Sequence, residues 1–195
     1  MLGCLFELLE TLLLPLIVFL VIQLFVAQPY QVQQESMENT LMPNQYVLVD
    51  KLTPHFDAFH RGDIIVFNPP PGWAEDQSGT PYIKRIIAVG GDTVDIRDGH
   101  VFINGTQISE PYIFGDQTTQ ASSAGKTWKL SPSQLFVMGD HRQASQDSRE
   151  FGPIDKSEVI GRAWIRYWPI NQFGLLPKAN QTAAPSGSPA TSPAP

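Results

Sequence analysis

A lysine, Lys84, lies inside the strongly apolar segment YIKRIIAVGGDTV (82–94). An ammonium in such surroundings loses its hydration, and desolvation can lower its pKa by as much as roughly 3–5 from about 10.4, enough to hold it neutral. Neutral lysine is a base. The serine that pairs with it best is Ser36, far upstream in QQESMENTL (33–41). A serine hydroxyl is a weak nucleophile at neutral pH and needs a base within about 2.6–3.2 Å to take its proton as it attacks. Histidine is the usual base, but His55, His60 and His100 sit in turn or loop contexts, His141 lies in a polar loop, and no GxSxG elbow is present. Asn39 occupies the fourth place of the stretch that begins at Ser36, so there is no SxxK motif either. Lys51, Lys126, Lys129, Lys156 and Lys178 lie beside turns or polar residues and read as solvated.

Taken singly, a strand lysine is most often an edge or snorkelling residue, and a lone serine is only a serine. A third segment changes this. VMGDHRQASQDSREFGPI (137–154) packs Gly, Asp, Arg and Ser directly behind an apolar run, the composition of a loop that holds polar groups on a rigid scaffold. Ser145 is expected to hydrogen-bond a neutral Lys84 and aim it, and Asp147 and Arg149, with Arg85, to form a fixed ion-pair cluster.

Those residues need elements to hold them. The chain has 195 residues, 42% hydrophobic, enough for one medium domain or two small ones. A formal charge of −6 argues against sequence-independent nucleic-acid binding. A single cysteine, Cys4, permits no disulfide within the chain. The run LLETLLLPLIVFLVIQLFVA (8–27) is nearly all apolar, and about 20 helical residues span a hydrocarbon core of roughly 30 Å, so residues 1–28 read as a membrane anchor. A cleaved signal peptide fits poorly, because Glu7 and Glu10 replace a basic n-region and Phe25 stands where a cut after Ala27 needs a small residue. No Lys or Arg precedes Lys51, so charge does not set the orientation.

After the anchor, short apolar or alternating runs at 45–52, 63–68, 82–89, 93–98, 100–104, 135–139 and 162–168 read as strands. Asp98-Gly99 and Asn104-Gly105 are hairpin signals. No run between them keeps helical periodicity over ten residues. The fold class is therefore mainly β and antiparallel, with one N-terminal transmembrane helix. Residues 74–80 and 115–127 read as loops. From 178 to 195 Ala, Pro, Ser and Thr dominate, a composition that predicts a disordered tail.

In order, the anchor, SM..TL, RGDIIVF, YIKRIIAVGGDTV, GD.R..S.DSR.FGP and a closing GRAW strand resemble the type I signal peptidases, the membrane-bound serine/lysine endopeptidases that remove signal peptides from exported proteins. The resemblance covers the chain to about Pro177. It implies Ser36 as acylating nucleophile, Lys84 as general base, Ser145 as orienting hydroxyl, and an Asp147–Arg149 pair near Arg85 as support. It implies an oxyanion hole of the Ser36 backbone N–H and the Gln34 side chain, and small-residue substrate pockets at Val32, Met37, Leu41, Tyr82 and Ile83. It also implies a β catalytic core over 29–94 and 134–177 and a smaller inserted lobe over 95–133. No cofactor or metal is needed. The implied partners are preproteins with Ala-x-Ala-like cleavage sites and membrane lipid. The implied location is the cell membrane, single-pass, with the catalytic domain on the extracytoplasmic side.

This chain departs from the family pattern in having Asn39 in place of a common proline, Gln34 and Glu35 where smaller residues are usual, and His141 in place of asparagine. Two other readings compete. A self-cleaving repressor-type Ser/Lys protein would need a DNA-binding helical domain where this chain has its apolar run. A catalytically impaired, membrane-anchored signal-peptide binder would not need all of Ser36, Lys84, Ser145, Asp147 and Arg149.

Overall fold

A computed structural model of the chain describes residues 2–21, 23, 26–52, 54, 56–73, 79–115, 117–122 and 125–179. Its elements are α1 (Leu2–Val21), β1 (Ala27–Gln31), β2 (Tyr46–Asp50), β3 (Ile64–Phe67), β4 (Tyr82–Val89), β5 (Thr93–Arg97), β6 (His100–Ile103), β7 (Thr106–Gln107), β8 (Thr127–Lys129), β9 (Gln134–Met138), α2 (Ser148–Phe151), β10 (Ile154–Asp155), β11 (Val159–Trp168) and β12 (Gly174–Leu175). Among the described residues the strands form two antiparallel sheets. One has eight strands in the order β1-β2-β11-β3-β4-β9-β10, with β12 beside β11, and the other has four in the order β7-β6-β5-β8.

The N-terminal helix ends earlier than the apolar run does. Helix α1 stops at Val21, and Ala27 already belongs to β1, whose register runs from Ala27 opposite Asp50 to Gln31 opposite Tyr46. The apolar run ends at Ala27, the residue at which β1 begins, and Gln23 and Val26 between the two elements are still helical. Pro29 is tolerated there because β1 is an edge strand. The α1 side chains are described from Thr11 to Leu20, and all of these are exposed. Among the described residues, no helix is long and apolar enough to cross a membrane.

The β-type runs fold as their patterns dictate. Strand β4 coincides with the apolar run around Lys84, and β5 and β6 join through Asp98 and Gly99 at φ 52° and 78°. Both residues of such a tight turn need positive φ, which Asp tolerates and Gly adopts freely. Strand β8 lies partly in the segment that reads as loop. Its three residues pair with Thr93–Asp95, and a run that short carries no periodicity of its own. Helix α2 is equally invisible in sequence, since four residues cannot show a helical period; the Asp147 side chain caps it by accepting the Arg149 N–H. The expected tail falls, from residue 180 onward, outside the described residues.

Three apolar clusters flank β4 and its neighbours. Ile87, Phe136 and Met138 pack with Val94, Ile96, Val101 and Ile103, joining the two sheets. Ile65, Phe67, Ile86, Leu135 and Val137 pack around Trp73. Val32, Met37, Leu41, Val47, Val49 and Val66 form the third, under the turn that carries Ser36. Lys84 and Arg85 are therefore held on a strand fixed by packing on both faces.

Candidate active site

Ser36 sits in a short 3-10 turn, Glu35–Met37, and is 2% exposed; Lys84, central in β4 opposite Ile65, is 1% exposed. Their side chains meet with Lys84 Nζ 2.6 Å from Ser36 Oγ. An amine N–H can donate into Oγ, and when the amine is neutral its lone pair can accept the serine proton over the same distance. Burial lowers the Lys84 pKa to about 8, helped by the Arg149 charge and opposed by Asp147 and Asp140. At neutral pH a usable fraction of the amine is free base.

The Gly139–Arg149 loop surrounds this pair differently from expectation. Ser145 does not hydrogen-bond Lys84. Its hydroxyl donates to Asp147 Oδ2 at 2.7 Å and accepts the Gly139 N–H at 3.2 Å, because the buried carboxylate is the stronger acceptor within reach. Arg149 clamps Asp147 with Nε and Nη2, each at 2.8 Å. Burial alone would raise the Asp147 carboxyl, but the Arg149 guanidinium, the Ser145 hydroxyl and the Gly139 N–H outweigh it and hold it below the usual carboxylate range. Arg85 does not join that cluster. It pairs with fully buried Asp140 through Nε at 2.8 Å and Nη2 at 2.7 Å. Two separate ion pairs thus stand where a single cluster was expected.

Gly139 is where the nucleophile turn and the loop touch. A Cβ there would strike both the Ser36 carbonyl oxygen and Ser145 Oγ. Gly139→Ala should therefore displace Ser36 from Lys84 and lower catalytic turnover by about 10²-fold. Steady-state kinetics of a protein that still unfolds cooperatively checks this, and wild-type turnover would show that the contact is dispensable.

A groove lies between the segment that runs into Ser36 and the segment that runs into Lys84. Tyr30, Val32, Gln34, Val66, Tyr82 and Ile83 are among its lining residues. Met37 and Leu41 are not. Both are 0% exposed and packed behind Val32 in the core, because the 3-10 turn and the bend after it direct them inward. Gln34 is exposed at the turn's N-terminus and makes no side-chain cap bond. Among the described residues no cluster of three or more His, Cys, Asp or Glu is arranged to hold a metal ion.

Residues 5–168 match the family model described as "Signal peptidase, peptidase S26". The chain belongs to this signal peptidase family. It is 36% identical over 174 residues to signal peptidase I of Leptolyngbya laminosa, covering 88% of this chain and 84% of the relative. It is 34% identical over 179 residues to signal peptidase I of Bacillus licheniformis, covering 88% and 92%. A crystal structure of a signal peptidase I from Enterococcus faecalis aligns with 54% of this chain and 97% of that one, at 31% identity and a TM-score of 0.45.

Three charged residues of this signal peptidase family member escaped sequence reasoning. Asp140, Arg142 and Glu110 are buried or nearly so: Asp140 takes Arg85, and Arg142 Nη2 reaches Glu110 Oε1 at 2.5 Å. Asp140 and Arg142 lie in the singled-out GDHR stretch, but sequence offers no way to tell Asp140 from Asp147 as the Arg85 partner. Glu110 stands in a polar segment with no signal at all.

Proposed function

We propose that this chain is a membrane-anchored endopeptidase that removes signal peptides from exported preproteins through a Ser36–Lys84 dyad. The observation that carries this is the 2.6 Å contact between two almost fully buried side chains, one of them an amine whose pKa burial lowers to about 8. Neutral Lys84 takes the Ser36 proton as Oγ attacks the scissile carbonyl, then returns it to the leaving amine; water, deprotonated by the same lysine, releases the acyl group. The Ser36 backbone N–H and the Gln34 side-chain amide face the developing oxyanion. Ser145, Asp147 and Arg149 act as a rigid wall beside the dyad rather than through a bond to Lys84, and Arg85 supports the Ser36 turn through Asp140 and Thr40.

An extended Ala-x-Ala-like segment would lie in the groove with its small side chains against Val32, Tyr82 and Ile83, while Met37 and Leu41 set the depth of that wall from behind. The four-stranded sheet serves as a smaller lobe on the catalytic core. The apolar run at 8–27 would anchor the protein in the cell membrane as a single pass, with the catalytic domain on the extracytoplasmic side. The relatives named signal peptidase I support the substrate class.

The test is incubation of the purified full chain in detergent with a preprotein carrying an Ala-x-Ala site, beside Ser36→Ala. Cleavage by the wild type and none by the variant, with unchanged thermal unfolding, is the expected result. Capture of the preprotein without cleavage by the wild type would instead establish a catalytically impaired binder.

A further inference from the structure

Ser36 is held by a closed circuit of contacts that its pairing with Lys84 does not use. Three chain segments take part: the nucleophile turn (36–40), the loop after β9 (139–141), and a strap from the smaller sheet (110–114) that runs between β7 and β8. The Ser36 carbonyl accepts the His141 N–H at 3.1 Å. The His141 ring meets Glu38 Oε2 through Nδ1 at 3.0 Å and stacks on Phe114, with centroids 4.5 Å apart and planes at 29°. The Asn39 side-chain amide donates to the Tyr112 carbonyl at 3.1 Å and the Ile113 carbonyl at 3.3 Å. The Phe114 N–H closes the loop on the Asp140 carbonyl at 3.0 Å. The strap is itself fixed by the buried Arg142, which grips Glu110 with both terminal nitrogens.

Asn39 is the corner of this arrangement. Its φ is 84°, a left-handed conformation that Asn enters more readily than most residues and that proline, locked near −65°, cannot enter. The turn after the nucleophile therefore depends on one residue that both bends the backbone and supplies the amide that ties the bend down.

We propose that Asn39 and His141 are positioning residues that hold the Ser36 turn in register with Lys84, with the Tyr112–Phe114 strap of the smaller sheet as their common anchor. This rests on the Ser36–Lys84 dyad proposed above. Neither residue is among those lining the groove, so their loss moves the nucleophile without altering the surface on which substrate lies. A displacement of about 1 Å at a reacting atom lowers turnover by about 10²-fold.

The experiment uses the full chain in detergent with two variants on different segments: Asn39→Gly, which keeps the left-handed φ and removes the amide, and His141→Ala. Each should lower kcat by about 10- to 100-fold with KM and the unfolding midpoint unchanged. His141→Asn, which keeps a donor for Glu38 but not the stack, should recover part of the loss. Wild-type kcat in both Asn39→Gly and His141→Ala overturns the proposal, as does a parallel change in KM and melting that marks a merely structural role. Amide hydrogen exchange of His141 reads the same clamp without any cleavage. Its N–H, bonded to the Ser36 carbonyl, should exchange about tenfold faster in Asn39→Gly. An unchanged rate overturns the proposal even if the wild type proves to be a binder, whereas faster exchange in an inactive wild type supports the clamp and sinks only the peptidase reading.

Discussion

Lys84→Met is expected to lower kcat/KM by about 10²–10⁴-fold, the usual contribution of a general base, the role proposed for Lys84, while making the protein more stable at neutral pH. The two effects share one cause. Burial lowers the Lys84 pKa from 10.5 to about 8, so the folded protein holds the ammonium less well than the unfolded chain does. The unfolded chain binds more protons between those values, and stability therefore rises with pH from about 8 to about 10.5. Below about 8 the penalty is fully present, on the order of 3 kcal/mol. Methionine fills similar space without a charge, and after allowing about 1 kcal/mol for the lost Ser36 hydrogen bond the variant should gain about 2 kcal/mol at pH 7. Chemical denaturation of both proteins at pH 7 and pH 10.5 measures this, and the difference should shrink at the higher pH. The activity of the wild type carries the same signature: kcat/KM should fall about tenfold for each pH step of one below about 8, as the free-base fraction falls. A profile flat down to pH 5 would remove Lys84 as the base.

Asp140→Ala is expected to destabilise the fold by about 3–5 kcal/mol, because it strands a guanidinium with no exposure to solvent. Arg85 would retain uncharged partners: the Gly62 carbonyl at 2.9 Å, the Thr40 hydroxyl at 3.1 Å, the Pro177 carbonyl at 3.5 Å and the face of the Tyr112 ring, whose centroid is 4.2 Å away. For a chain of this length the unfolding midpoint should fall by about 10 °C. Thr40 would also lose its 2.5 Å bond to Asp140, so the Ser36 turn should loosen and turnover should fall with stability. The double variant Arg85→Met/Asp140→Leu separates a buried unpaired charge from the value of the pair, since removing both partners should restore most of the loss. A drop of less than about 1 kcal/mol for Asp140→Ala would mean that water or another carboxylate reaches Arg85.

Most of the strand framework was legible because two periodicities suffice for it. The run 82–89 becomes β4 residue for residue, and the Asp-Gly and Asn-Gly pairs turn where positive φ is needed, with Asn104 and Gly105 at 52° and 81°. What escaped was short or depended on a neighbour. Strands β7, β10 and β12 have two residues each and exist because of the ladder they join. Strand β1 follows directly on the apolar run and carries no alternation of its own, so only its pairing with β2 defines it.

The site divides in the same way. A lysine in an apolar strand run is a candidate for desolvation, and the structure buries Lys84 and lowers its pKa to about 8; the order of the motifs pointed to Ser36 as its partner. Partner choice among the remaining charges did not follow. Arg85 could take Asp140 or Asp147, Ser145 could face Lys84 or Asp147, and Met37 could point into the groove or beneath it. Each choice depends on distances of a few ångströms between segments separated by tens of residues. Only the packing of β4 against β9 and of the Ser36 turn against Gly139 decided them, because contact energies fall off over distances that sequence does not record.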